Sequence, residues 1–564
     1  MMARPSDVLP PQLPDDFVAQ PTHSPQERIE VGVLVVGAGP AGLACAIRFG
    51  QLLEENPHVA SQLGEVPLAV VEKGKQAGSH LLSGAVVNPR SLQRLFEHRP
   101  QLDSLPSEGP VSAEAVYLLT RRFALRIPTP PTMRNNGNII VSLSQLGRWL
   151  AARAEEGGAM VLPETTGERL LISEDRVVGV RTADKGRGPA GEELANFEPG
   201  SDLVAKVTVL AEGTHGHLTG VALDHYALHP DAPQVWELGV KEVWRVPKPL
   251  PRVIHTMGWP LRYRAKYREF GGSFIYPMGS DHLAIGMVVG LDYRDAALSV
   301  HDLLQELKTH PKIRPLLEGA QRVEWGAKTI PGGGYHSLPT RLHVPGLLIC
   351  GDGAGMVNIP SLKGVHYAVE SGRLAAEAAF AQVQRPNDDV TALEAYDDAV
   401  RSGFIGTDLR QVRDVRQVFG RGFFLGGALA GLMMISKGRL SIGRLRTEPD
   451  ASQLVMKTDR NSRYPVPDGE LTFDKLSSVF ASGNRSRDDQ PGHIQIMERV
   501  PEEIAEMWVH MCPAQVYAAA SSGSDGRSAV ALTPSNCVHC GAIAAKGGRF
   551  RPPEGGSGPE YTFS

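Results

Sequence analysis

The chain has 564 residues, of which 42% are hydrophobic, and a formal net charge of -4 at pH 7. At about 150 residues per domain this length calls for two to four domains, and the near-balanced charge argues against a nucleic-acid or polyacid partner. Five cysteines are an odd number, and Cys45 and Cys350 fall inside apolar elements as small core residues, so a disulfide framework is not expected.

Residues 1–30 are rich in Pro, Asp and Gln and are expected to form a flexible N-terminal segment. Their acidic residues and the lack of an apolar run match neither a secretion signal nor a mitochondrial presequence. The stretch from Val31 to Ile47 organises the rest of the chain. A β-branched run ends in Gly37, Gly39 and Gly42, spaced G-x-G-x-x-G, and an Ala/Leu/Ile stretch comes at once after it. This order predicts a strand, a tight turn and a helix N-terminus whose free N–H groups and dipole attract a pyrophosphate. The next strand begins at Pro67 and ends at Glu72, the acidic residue expected to accept hydrogen bonds from an adenosine ribose.

The loop from Gly78 to Gly84 is too rich in Gly and Ser for a core element. Two readings stand side by side: a loop passing over a flavin ring, or a connection with His80 facing solvent. Residues 112–127 read as a hairpin, and Ile139 to Ala151 as a strand running into a helix capped by Ser142 or Ser144. A further apolar strand ends at Ala211-Glu212-Gly213. A third return to the nucleotide domain ends in Gly351-Asp352-Gly353-Ala354-Gly355, before a helix from Gly364 to Phe380. A carboxylate at that strand end suits a ribityl hydroxyl, which favours FAD over NAD. Short apolar strands between Trp236 and Leu291 suit an inserted sheet facing the flavin.

Gly422 to Ser436 is a run of 15 uncharged, mostly apolar residues flanked by Arg421 and Lys437. It is shorter than the roughly 18–20 residues a bilayer span needs, and it is read as a helix lying in the membrane interface. At the C-terminus, Cys512-Pro513 and Cys537-Val538-His539-Cys540 supply most of a 4Fe-4S ligand set. A third cysteine at the same spacing would fall at 543, which is Ile543. A zinc site using His539, or three reduced thiols, are the other readings.

Taken together, Gly78–Ala85, Ala211–Leu218, His255–Leu261, Gly271–Phe274, Pro345–Gly355, Asn358–His366, Leu471–Phe480, Cys512–Tyr517 and Asn536–Cys540 resemble the electron-transfer-flavoprotein:ubiquinone oxidoreductase family from about Val31 onward. The resemblance implies an α/β fold: a Rossmann-type FAD-binding domain, an inserted α+β quinone-binding domain and a C-terminal ferredoxin-like domain. The expected boundaries are 31–110 with 133–220 and 318–405 for the FAD domain, 111–132 and 221–317 for the quinone and membrane-facing domain, 406–440 for a membrane-associated helical segment, and 441–564 for the iron-sulfur domain.

The family resemblance implies FAD held by Gly37, Gly39, Gly42, Glu72, Gly351, Asp352 and Gly355, and a quinone pocket at Gly271 and Gly272. Cys512, Cys537 and Cys540 would be cluster ligands, with Ile543 departing from the pattern. No catalytic side chain is expected, since the flavin carries the chemistry. The implied activity passes electrons from reduced electron-transfer flavoprotein through FAD and an iron-sulfur cluster to ubiquinone. The expected place is the cytoplasmic face of a bacterial inner membrane, monotopic, with the mitochondrial inner membrane as the alternative. The competing function is a related FAD-dependent reductase acting on a hydrophobic substrate without a 4Fe-4S cluster.

Overall fold

The computed structural model describes all residues except 1–2, 13, 23, 25–26, 83, 85, 98, 441–444, 459–463 and 524–525. Strand β1 (Arg28–Val36) leads through Gly37 and Gly39 into helix α1 (Pro40–Glu55), with Pro40 in the first turn. Strand β2 (Leu68–Val71) lies parallel to β1. Further along come a β-hairpin, β3 (Glu114–Leu119) and β4 (Ala124–Ile127), and helix α2 (Leu143–Glu156), whose N-cap is Ser142. The Ser142 hydroxyl accepts the Gln145 N–H at 3.3 Å, which settles the capping residue.

The dinucleotide-type sheet places β1 between β2 and β5 (Asp202–Leu210), all parallel, with β6 (Leu347–Ile349) joining the far edge of β5. Strand β6 does not run straight into a helix: two 3-10 turns, Gly351–Ala354 and Ile359–Ser361, precede helix α3 (Val365–Gln382). The expected helix from Gly364 to Phe380 is thus present with a short lead-in. Helices α1 and α3 pack closely because Gly372 has no side chain; a Cβ there would overlap the Ala41 carbonyl. Cys45 and Cys350 are buried in this core, as anticipated.

A second, seven-stranded sheet covers the other side of the site. Its strands include Trp236–Arg245, Val253–Gly258, Gly271–Met278, His282–Gly290 and Gln321–Pro331, with the β3–β4 hairpin at one edge. Gln321–Pro331 pairs with Trp236–Arg245 along its whole length. The boundary expected at 318 therefore falls too early: this strand's alternating apolar side chains, Trp325 and Ala327 among them, belong to the second core. The same core takes in Trp508, Cys512 and Ile543, so the C-terminal region packs directly on the second sheet.

The N-terminal segment is not the flexible tail anticipated. Val8 and Phe17 are buried, and Arg549 donates from Nε to the Pro10 carbonyl at 2.7 Å. Apolar side chains spaced too widely for a helix or strand still find a surface to cover.

Candidate flavin and iron-sulfur site

A cavity of about 300 Å³ opens where the strands of the first sheet end. That is where ligands bind in parallel α/β sheets. Its walls carry Gly37, Gly39, Glu72, Gly351 and Asp352, and the start of α3 at Gly364 and Val365. The three loop glycines have separate duties. Gly37 sits at φ 106°, and its missing Cβ would lie 2.5 Å from the Ala211 carbonyl oxygen. A Cβ on Gly42 would overlap the Gly37 carbonyl oxygen, so this glycine allows helix and turn to pack and does not line the cavity. A Cβ on Gly39 would meet only Leu81, at 3.9 Å, because it faces the open cavity.

Glu72 accepts the Ala38 N–H at 2.9 Å on one carboxylate oxygen and the Gly74 N–H at 2.7 Å on the other. The turn thus fixes the carboxylate, and each oxygen keeps lone-pair capacity for a hydroxyl donor. Asp352 is half-buried at the cavity wall, and its carboxyl is pushed up to about 6 by loss of solvent, with Lys328 pulling the other way. Gly355 lies outside the cavity; at φ 77° it ends the 3-10 turn and donates its N–H to the Asp352 carbonyl at 2.9 Å.

The loop after Glu72 faces the cavity and not solvent. His80 and Leu81 line it, and the His80 ring lies 3.1 Å from the Ser557 carbonyl. Burial, with Lys73 and Lys328 nearby, holds His80 well below its ordinary value, so the ring is neutral. Ser83 and Ala85 of this loop lie outside the described residues.

Gly271 and Gly272 do not reach this cavity. Their side-chain-free backbones are required by strand packing: a Cβ on Gly271 would overlap the Val288 carbonyl, and one on Gly272 would lie 2.5 Å from the Thr256 oxygen. A separate small cavity borders them at Phe270, lined also by Tyr263, Arg268, Phe419 and Phe423.

Two residues that the sequence did not single out join the cavity to the cysteines. Lys328, half-buried on the Gln321–Pro331 strand, donates to the His539 carbonyl at 3.1 Å. Burial and Lys73 bring its ammonium down to about 8, while Cys540, Glu72 and Cys537 act to raise it. Thr329, beside it, donates to the Cys540 carbonyl. Cys512, Cys537 and Cys540 share a second, small cavity with Ile543, and Gly541 and Phe550 line both cavities. Burial pushes the Cys540 thiol up to about 12 and those of Cys512 and Cys537 upward as well, so thiolates here require a cationic partner.

The donor set suits an iron-sulfur cluster. Val516 donates its N–H to the Cys512 sulfur at 3.4 Å, and the backbone N–H groups of His539 and Ala542 face Cys537 and Cys540. Left-handed backbone at Gln515 (φ 53°), His539 (φ 52°) and Gly541 (φ 82°) turns these loops into anion-binding nests. A mononuclear site has a weaker case. His493, Cys537 and His539 offer ligand atoms within 4.8 Å of one another, but His539 lines the larger cavity, and neither histidine lines the one shared by the three cysteines.

A Rossmann-type sheet with a glycine turn, two carboxylates at strand ends and a long cavity defines the fold of a flavin-dependent oxidoreductase. Among solved structures, a geranylgeranyl bacteriochlorophyll reductase-like protein from Thermoplasma acidophilum superposes with a TM-score of 0.53 at 15% identity, covering 74% of this chain and 94% of that one. A flavin-dependent brominase gives a TM-score of 0.50 at 16% identity, covering 73% and 94%. Residues 236–330 match the family model described as ETF-QO, ubiquinone-binding, and residues 469–562 match that described as electron transfer flavoprotein-ubiquinone oxidoreductase, 4Fe-4S. The chain is 36% identical to the mitochondrial electron transfer flavoprotein-ubiquinone oxidoreductase of Oryza sativa subsp. japonica, over 95% of this chain and 93% of that protein. It is 35% identical to the Pseudomonas aeruginosa protein of the same name, over 95% and 99%. The chain belongs to the electron transfer flavoprotein-ubiquinone oxidoreductase family.

Proposed function

We propose that this protein passes electrons from reduced electron transfer flavoprotein, through FAD and a 4Fe-4S cluster, to ubiquinone at a membrane surface. FAD, when bound, supplies both one-electron and two-electron redox chemistry. The N-terminus of α1 at Gly39 receives the pyrophosphate, Glu72 the adenosine ribose, and Asp352 with the start of α3 the ribityl side. Cys512, Cys537 and Cys540 hold the cluster. The second sheet forms the quinone domain, with Gly271 and Gly272 shaping its strand beside the small cavity at Phe270. Residues 441–564 form the iron-sulfur domain.

The observation that carries this reading is the pair of contacts from Lys328 and Thr329, which line the flavin cavity, to the carbonyls of His539 and Cys540 in the cysteine loop. They hold two redox sites against opposite sides of one short loop.

An apolar face supports the membrane assignment. Helix α4 (Phe423–Ile435) has 13 residues, about 20 Å at 1.5 Å per residue, against the roughly 30 Å of a bilayer core. Among the described residues no helix is long and apolar enough to cross a membrane. Leu425, Leu432 and Ile435 on α4 are exposed, as are Phe123 and Leu125 on the β3–β4 hairpin. Thr132, just after the hairpin, touches the Met434 sulfur at 3.1 Å, which puts helix and hairpin on one face. Such a face lies in a bilayer interface; in a bacterium we assign it to the cytoplasmic side of the inner membrane.

The test is a steady-state assay in detergent with enzymatically reduced electron transfer flavoprotein as donor and a short-chain ubiquinone as acceptor. FAD-loaded protein is expected to sustain quinone reduction. FAD-loaded protein that never reduces quinone with this donor would rule the assignment out.

A further inference from the structure

We propose that the cluster of this chain is a four-iron cube anchored by three thiolates, Cys512, Cys537 and Cys540, whose fourth iron faces Ile543 and has no protein thiolate. The inference rests on the reading that these cysteines hold the cluster.

The three thiols enter one buried cavity from two loops, Cys512 from the turn after helix Glu502–Met511 and the other two from the Cys537–Cys540 loop. Both loops point N–H groups at the sulfurs, so three corners are built for thiolates that would each bind one iron terminally. The fourth is not. Ile543 stands three residues after Cys540 in the 3-10 turn Ala542–Ala545, is 4% exposed, and lines the same cavity. Its branched side chain packs where Gly548 has none: a Cβ on Gly548 would sit 2.5 Å from Ile543 Cγ1. Ile494, Val516 and Phe550 complete an apolar wall.

Among the described lining residues there is no fourth cysteine, no histidine and no carboxylate. The remaining side-chain heteroatoms are the Met511 thioether and the Tyr517 phenol, and neither stands at the position three residues after Cys540, which Ile543 occupies. His493 and His539 lie near the Cys537 sulfur but outside this cavity. An iron at the Ile543 corner is therefore held by the sulfides of the cube and a small exogenous ligand, and it is the exchangeable one.

Ferricyanide, a one-electron oxidant, tests this on the anaerobically purified FAD-loaded protein. It removes one electron from the oxidised cube, the unanchored iron leaves as Fe2+, and a three-iron, four-sulfide cluster of charge +1 remains from a cube of charge +2. The expected result is loss of one iron in four with sulfide retained, and the appearance of the paramagnetic resonance signal of an oxidised three-iron cluster. Ile543→Cys is expected to retain all four irons under the same treatment, while Ile543→Val loses iron as the parent does; bound FAD reports that each variant is folded.

Retention of all four irons by the parent protein, or equal iron loss from Ile543→Cys, would overturn the inference and leave the cluster assignment standing. Iron loss that begins only in His493→Ala or His539→Ala would also overturn it, by making a histidine the fourth ligand. FAD-loaded protein devoid of iron and sulfide would overturn both the inference and the assignment of the three cysteines.

Discussion

Thr329 donates twice to the carbonyl oxygen of Cys540, from its backbone N–H at 3.0 Å and from Oγ1 at 2.7 Å. The last strand of the second sheet thus clamps the cysteine loop against the wall of the flavin cavity. Thr329→Val removes the side-chain bond while keeping shape and the backbone bond. Since the Cys540 carbonyl keeps its backbone partner, the lost bond costs about 0.5–1.5 kcal/mol. The expected outcome is a lower apparent melting temperature with FAD still bound, and slower electron exchange between flavin and cluster in rapid-freeze spectroscopy.

The glycine turn separates packing from binding. Gly42→Ala forces a methyl group into the Gly37 carbonyl, an overpacking that costs about 1–3 kcal/mol or more. Gly39→Ala has room, since Leu81 at 3.9 Å is its nearest neighbour. Thermal unfolding of the two apoproteins should show a clear loss for Gly42→Ala and little change for Gly39→Ala. FAD titration should show weakened binding for both, because the methyl of Gly39→Ala occupies the approach to the pyrophosphate.

Asp352 imposes a pH dependence. In the folded protein loss of solvent pushes its carboxyl up from its ordinary value of 3.8 to about 6, because a charge is disfavoured there. Between those values the folded chain binds more protons than the unfolded one, so apoprotein stability falls as pH rises from about 4 to about 6 and levels off above. A ribityl hydroxyl donating to the carboxylate favours the charged form, so FAD affinity should rise across the same window. Asp352→Asn is expected to flatten both profiles, measured by scanning calorimetry of the apoprotein and by flavin fluorescence titration.

Membrane attachment is assigned to side chains that the fold leaves exposed. Leu425, Leu432 and Ile435 are 57%, 55% and 74% exposed, whereas Phe423 stacks on Tyr263 with ring centroids 4.1 Å apart and so supports the helix from within. The triple change Leu425→Ser, Leu432→Ser and Ile435→Ser should release the protein from liposomes in a sedimentation assay without loss of FAD. Vesicle binding equal to that of the unchanged protein would remove α4 as the anchor.

Much of this site was legible in the sequence because its signals are local. The Gly37–Gly42 turn, Glu72 and Asp352 each sit at a strand end, and strand, turn and helix are encoded by neighbouring residues. Lys328 was not legible, since its meaning comes from pairing with His539 across 211 positions; in the sequence it shares the polar alternate positions of its strand with Arg322 and Glu324. The membership of Gln321–Pro331 in the second sheet was hidden for the same reason. The role of Gly271 and Gly272 in strand packing depends on the Val288 and Thr256 carbonyls that press against them. The N-terminal segment misled in the opposite direction, because widely spaced residues such as Val8 and Phe17 give no periodic signal yet are buried.

The central claim is that electrons enter from electron transfer flavoprotein, are shared by flavin and cluster, and leave to ubiquinone. The most direct test is an anaerobic titration of the purified, FAD-loaded protein with reduced electron transfer flavoprotein, followed by flavin absorbance and cluster paramagnetic resonance, with ubiquinone added last. Both centres are expected to become reduced, and ubiquinone to reoxidise both. Centres that remain oxidised in the presence of the reduced donor, or stay reduced after ubiquinone is added, would contradict it.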